Sequence, residues 1–265
     1  MTDHVDLSIR QFVSAWRLMC AASARHATGT AGDLDMVFSG LPISFFNIGM
    51  VTGRGLSGDA LAASARLAID WAADKGVPWF FIVTQEGLRN DVNAATVLDA
   101  CDLAPVMPLT GMLATSLAPS TRAAGPLQLT TPRDDEGCGA LIAINSRAYG
   151  MPLDAAADIV GRSSFWESQF PVVGLQDGMP VSCAAVMMVD GHRYVALVAT
   201  DPAHQRRGHA EAAMRGALEA SAARHGDRPT VLHATEAGRP VYERMGYRPI
   251  ASHTVFMEKR FLAEH

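Results

Sequence analysis

Thr200-Asp201-Pro202-Ala203-His204-Gln205-Arg206-Arg207-Gly208-His209-Ala210 decides how the rest of this chain is read. The run follows an apolar stretch, His192-Arg193-Tyr194-Val195-Ala196-Leu197-Val198-Ala199, and precedes one with helical spacing, Ala210 to Arg224. A strand therefore hands a short loop to a helix start. The first turn of a helix leaves backbone N–H groups without partners, and the aligned peptide dipoles add positive potential there. Such a turn binds phosphate or diphosphate. Gly208 and Ala210 keep bulk away from the backbone, and Arg206 and Arg207 add charge.

A second segment stands at a fitting distance. Pro229-Thr230-Val231-Leu232-His233-Ala234-Thr235 is short, apolar and rich in β-formers, and it reads as a buried strand. Glu236-Ala237-Gly238-Arg239-Pro240-Val241-Tyr242-Glu243-Arg244-Met245-Gly246-Tyr247 follows. Pro240 suits the first turn of a helix and Gly246 its C-terminal stop. Val241 and Met245 lie one turn apart and face the core, which leaves Tyr242 pointing elsewhere.

The pattern Gln205-x-x-Gly208-x-Ala210 after a strand resembles the coenzyme A signature of the GNAT N-acetyltransferase superfamily. The strand leading to a short helix with Tyr242, then Gly246-Tyr247, resembles the same family's later motif. Two positions depart from it: Thr235 stands where many relatives have Asn, and Gly238 where they have Ala. A side-chain contact to the pantetheine arm is thereby altered or lost.

The resemblance implies transfer of an acetyl group from acetyl coenzyme A to an amine, with no metal. It implies that backbone N–H groups of Gln205, Arg207, Gly208, His209 and Ala210, with Arg206 beside them, cradle the diphosphate. It implies that Val198, Ala199 and Thr200 pair with the pantetheine amides, that Thr235 lies near that arm, and that an N–H near Val198 stabilises the developing oxyanion. Tyr242 is the implied general acid for the departing thiolate. An amine with a pKa near 10.4 must lose a proton before attack, so a base or a water chain is needed. His233, on the strand before the Tyr helix, and Glu167 are the candidates. The acceptor cleft implicates Tyr149, Phe165 and Trp166, with Gly150.

Composition sets the bounds. At 265 residues and 49% hydrophobic content, the chain has room for one large domain or two medium ones. A net charge of −5 argues against nucleic acid as a partner, since such binders carry a basic face. Cys20, Cys101, Cys138 and Cys183 are widely spaced, which suits reduced core residues of a cytoplasmic protein. Residues 36–53 and 103–121 lack charge but are broken by Pro, Gly and polar residues, so they read as strands and turns and not as membrane spans.

The chain reads as the same α/β unit twice, each a mixed sheet flanked by helices. In the second half, strands at Leu127–Thr130, Pro171–Gln176, Val181–Val189 and Arg193–Thr200 surround helices at Cys138–Tyr149 and Leu153–Val160. Asp177-Gly178 and Asp190-Gly191 between apolar runs mark hairpins. In the first half, Gly58 opens a helix to about Lys75 and Pro78–Thr84 follows as a strand. Val97-Leu98-Asp99-Ala100-Cys101-Asp102-Leu103-Ala104-Pro105-Val106 then aligns with Val241 to Ile250. Leu98 replaces the Tyr, Asp102 the Gly, and Gly55 the Gln. The first half therefore reads as a degenerate GNAT-like copy over 1–122, without the catalytic set. The catalytic domain occupies 123–265, after linker-like Pro119–Pro126. Two unrelated segments with one strand–helix rhythm are the other reading.

A small-molecule or peptide amine is the expected acceptor, its identity open, and a homodimer is compatible with the reading. A non-catalytic acyl-coenzyme A sensor or partner-binding module is the alternative function. A sensor needs the phosphate loop but not Tyr242.

Overall fold

The computed structural model describes residues 3–121, 125–150 and 152–264. In chain order its elements are α1 (His4–Cys20), β1 (Ala27–Ala31), β2 (Leu34–Phe38), β3 (Asn47–Val51), α2 (Gly58–Ala72), β4 (Phe80–Thr84), α3 (Ala94–Asp99) and β5 (Leu103–Ala114). The second half continues with β6 (Gln128–Thr130), α4 (Asp135–Tyr149), α5 (Leu153–Val160), α6 (Ser163–Trp166), β7 (Phe170–Gln176), β8 (Met179–Val189) and β9 (His192–Thr200). It ends with α7 (His209–His225), β10 (Thr230–Ala234), α8 (Arg239–Arg244) and β11 (Arg248–Glu258).

The contacts divide the chain into two compact units. The first holds the described residues up to Met112, then His233–Arg239, and those from Pro249 onward; the second holds Leu113–Leu232 and Pro240–Arg248. The expected cut between residues 122 and 123 lies outside the described residues.

In the first unit the strand order is β1-β2-β3-β4-β11-β5. β1, β2 and β3 pair antiparallel, β3 and β4 parallel, and β4 and β11 antiparallel. The C-terminal strand thus closes the sheet of the first unit. Leu34, Phe38, Leu61, Ala65, Trp79, Phe81 and Phe256 form a buried cluster between that sheet and α2. Asp3 caps α1 by accepting from the Val5 N–H.

In the second unit the order is β10-β9-β8-β7-β6, with β10 and β9 parallel and the rest antiparallel. The two Asp-Gly turns join β7 to β8 and β8 to β9. Asp177 (φ 52°), Gly178 (φ 79°), Asp190 (φ 45°) and Gly191 (φ 76°) are all left-handed, as a turn matching strand twist requires. Helix α7 buries Ala213, Met214, Ala217 and Leu218. Burying these one-turn-spaced apolar residues, not local propensity, is what holds such a helix in place. The expected strands and helices of both halves are present, with ends moved by a few residues.

Candidate active site

β9 changes phase halfway along. Arg193 donates its N–H to Pro229 O beside β10. Asp201, also an odd-numbered residue, donates its N–H to Val181 O on β8. Strand backbone alternates sides with a period of two, so one residue must break the alternation between them. That residue is Leu197, with φ 52°. The β8–β9 register shifts at the same place, with Cys183 opposite Ala199 but Ala185 opposite Ala196. This is a β-bulge. Its carbonyl accepts from Cys183 Sγ (3.4 Å) and Asn145 Nδ2 (3.4 Å). A left-handed leucine is strained, and these buried partners hold it.

After the bulge the Thr200 carbonyl points away from β8, because it lies opposite the Asp201 N–H across one planar peptide. Val198, two residues earlier, points the same way. The described pairing of β9 with β10 covers only Arg193 with Thr230 and Tyr194 with Val231. The Val198 and Thr200 carbonyls instead accept from side chains: Tyr149 Oη at 2.7 Å and Gln205 Nε2 at 3.4 Å.

The strand then delivers the loop. Asp201 accepts from the Ala203 N–H (3.1 Å) and from Arg147 Nε (2.6 Å). These bonds hold its carboxyl below the usual carboxylate range, the backbone N–H first and Arg147 next. Arg206 (φ 67°) and Gly208 (φ 83°) are both left-handed, which curls successive N–H groups toward one point. Gly208 caps α7 without any side-chain bond. Arg206 and Arg207 are exposed, and Ala210 is half-buried. The His209 ring is 2% exposed, and neither of its nitrogens has a partner. Burial, then Arg207 and His204, lower its pKa and keep it neutral.

Tyr242 projects from α8, half-buried, with its ring 6.1 Å from that of Tyr247. Burial above all, then Tyr149 and Tyr247, push its phenol well above the ordinary tyrosine range. Tyr194, itself buried, is raised by burial and then by Tyr242. The Tyr247 hydroxyl bonds Thr230 Oγ1 at 2.9 Å. All four tyrosines of the chain thus belong to one neighbourhood of the second unit.

The other expected site residues have the following local surroundings. Trp166 is 4% exposed, and its indole N–H donates to Val160 O (2.8 Å). Phe165 meets it edge-on, with centroids 4.7 Å apart. Glu167 is exposed at the end of α6. Thr235 Oγ1 and its carbonyl both accept from the Gly238 N–H, at 3.3 and 3.1 Å.

His233 has company that sequence reasoning missed. Its Nε2 bonds Ser8 Oγ at 2.9 Å, and Ser8 Oγ also reaches His253 Nε2 at 3.0 Å. His253 Nδ1 bonds Thr84 Oγ1 at 2.9 Å. Phe12 presses its ring against His233, with centroids 4.4 Å apart. A Cβ on Gly111 would lie 2.0 Å from Ser8 Oγ, so only glycine fits there. Burial and then His253 hold His233 well below the usual histidine range, so it is neutral but a weak base. No sequence signal links residues this far apart.

Residues 162–262 match the acetyltransferase (GNAT) domain family. That likeness to a GNAT acetyltransferase domain covers less than half of the chain. None of the curated proteins compared matches it. Among solved structures, a GCN5-related N-acetyltransferase from Kribbella flavida is similar over 96% of this chain and 97% of its own, at 19% identity and a TM-score of 0.69. A GCN5-related N-acetyltransferase from Sphaerobacter thermophilus matches over 84% of this chain and 75% of its own, at 14% identity and TM-score 0.60. A tandem GNAT protein from the clavulanic acid biosynthesis pathway matches over 95% and 94%, at 13% identity and TM-score 0.52. At these identities the likeness is one of fold: a tandem GNAT arrangement spanning the chain.

The GNAT domain match takes in the bulge, the loop, α7 and Tyr242, while Tyr149 precedes it. The first unit shares some backbone features with the second and differs at the start of its helix. Asp102 (φ 62°) is left-handed where Gly246 (φ 98°) is, each ending the short helix before it. But Ser57 Oγ accepts from the Ala60 N–H (3.2 Å) and so caps α2 from within. Leu56 exchanges backbone bonds with Gly87 and Arg89 (3.1 and 3.0 Å). Leu98, in place of the tyrosine, is fully buried.

Proposed function

We propose that the protein transfers an acetyl group from acetyl coenzyme A to a primary amine, by direct attack in a ternary complex, with the working site in the second unit. One observation carries this reading: the N-terminus of α7 has no side-chain cap and is entered through left-handed Arg206 and Gly208, whereas the N-terminus of α2 is capped by Ser57. The residues present fit a diphosphate, whose oxygens take the N–H bonds a capping side chain takes elsewhere. Arg206 and Arg207 are exposed and add charge beside the turn, where Arg207 Nη2 also donates to Ala203 O (3.4 Å). The strand Val198–Thr200, half-buried at Val198 and Thr200, runs into this loop and suits the amide-bearing arm of the carrier.

The thioester supplies the reactive carbonyl, and the protein's residues supply position and electrostatics. A backbone N–H near Val198 faces the oxygen where negative charge develops. The attacking amine gives its proton to solvent water, and Tyr242, kept protonated by its surroundings, gives its proton to the departing sulfur. Among the described residues no group of His, Cys, Asp and Glu is arranged to hold a metal. The four cysteines are free and buried, which fits a reducing compartment.

The test is release of free thiol from acetyl coenzyme A with a panel of amines. Gly208→Val is expected to raise KM for acetyl coenzyme A about tenfold, because the free loop relaxes out of a conformation that costs a β-branched residue roughly 1–2 kcal/mol and must regain it to bind, and kcat at saturating donor stays near wild type. Coenzyme A binding with no thiol release for any amine would favour the sensor reading. Unchanged KM in Gly208→Val would remove the loop from donor binding.

A further inference from the structure

Two side chains already bond the carbonyls that β9 turns outward beyond its bulge: the Tyr149 hydroxyl on Val198 O (2.7 Å) and the Gln205 amide on Thr200 O (3.4 Å). An exposed strand edge is a row of acceptors that an incoming extended chain can take, and proteins commonly occupy such edges. The shorter of these two bonds comes from a side chain with little else to hold it. Tyr149 is 57% exposed, at the last position of α4, just before left-handed Gly150 (φ 68°). Its hydroxyl is desolvated where it meets the strand, which raises its pKa to about 12, while more than half of the side chain stays open to solvent. The neighbouring bulge carbonyl, by contrast, is held by the buried Asn145 and Cys183.

We infer that Tyr149 is a displaceable cap on the β9 edge, which yields the Val198 carbonyl to an amide N–H of the thioester carrier's arm. The inference rests on the reading of this site as an acyl coenzyme A site. The Val198 carbonyl after the bulge points to the side where the described β10 pairing stops. An extended arm laid along Val198–Thr200 presents its N–H groups to these same carbonyls, as an added strand does. Tyr149 and the arm therefore compete for one acceptor, and the affinity for the carrier is lowered by the free energy of the Tyr149 bond. Once displaced, the phenol stays at the edge of the site, tethered by α4.

Titration calorimetry of the full chain with two probes tests this. Coenzyme A has the arm; adenosine 3′,5′-bisphosphate has the nucleotide end and lacks it. Tyr149→Phe keeps the ring and removes only the hydroxyl, and its melting temperature should fall by only a few degrees, the worth of the one bond removed from the free protein. It is expected to bind coenzyme A about fivefold more tightly, the equivalent of one ordinary hydrogen bond, with the bisphosphate unchanged. Equal or weaker coenzyme A binding by Tyr149→Phe, with wild type binding normally, overturns the cap and leaves the proposed function standing. A parallel gain for the bisphosphate also overturns it, since the effect would then not lie at the arm. If wild type binds no coenzyme A at all, the proposed function itself fails and the cap with it.

Discussion

Tyr242→Phe is expected to lower kcat by about 10²- to 10⁴-fold, the usual worth of a positioned general acid, and to leave coenzyme A affinity within about twofold. The variant removes one hydroxyl from a half-buried ring and keeps the contact with Tyr247. Burial, then the neighbouring Tyr149 and Tyr247, raise the phenol's pKa, so it is fully protonated at neutral pH. A phenol with so high a pKa is a poor acid toward a solvated thiolate. Burial also raises the pKa of a thiol leaving in the same surroundings, which favours transfer of the proton to it. The phenolate left behind regains its proton readily from solvent. Single-turnover measurements with saturating donor read the chemical step directly. A variant with full turnover would remove Tyr242 from the mechanism.

Acidification is expected to destabilise the first unit well before its carboxylates titrate. His253 is 2% exposed, and burial lowers its pKa to about 4 from an ordinary 6.5, with Glu86 opposing weakly. His233 is also lowered, by burial and then by His253. The unfolded chain takes up these protons near pH 6.5, while the folded chain resists until lower pH. The stability associated with neutral imidazoles is therefore complete above about pH 6.5 and falls as pH drops toward 4. For His253 alone, a shift from 6.5 to about 4 amounts to about 3 kcal/mol, most of it lost by about pH 4.5. Urea unfolding across that range, with His253→Gln beside wild type, measures it. The variant should start less stable at neutral pH and show a flatter pH dependence. A wild-type profile that is flat from pH 7 to about 4.5 would mean that the Ser8–His253 cluster opens to water at little cost.

Local chemistry made much of the fold legible. Asp177-Gly178 and Asp190-Gly191 specify their turns through left-handed backbone, and Gly208 announces the start of α7 because only it and Arg206 supply the curl before the helix. Asp102 and Gly246, aligned in the sequence, are both left-handed, and aspartate is among the non-glycine residues most often found in that conformation. The bulge at Leu197 was not legible. Nothing in Val195-Ala196-Leu197-Val198 departs from an ordinary strand, and the bulge is held by Asn145 and Cys183 from other elements. The Ser8–His233–His253–Thr84 cluster joins α1, β10, β11 and β4, so neither period nor spacing could show it. Assignment of the C-terminal strand to the first unit is a fact of topology with no local signature. Tyr149 was expected to line an acceptor cleft; its hydroxyl lies on the Val198 carbonyl, a contact that depends on where α4 ends.

The amide spectrum of ¹⁵N-labelled protein titrated with coenzyme A tests the central claim most directly, because it compares two helix N-termini in one molecule. The account predicts saturable shifts at the amides of Gly208, His209 and Ala210, and none at Asp59, Ala60 and Leu61, where Ser57 already caps the helix. Saturable shifts confined to the first unit, or none at residues 205–210 at millimolar coenzyme A, would contradict it.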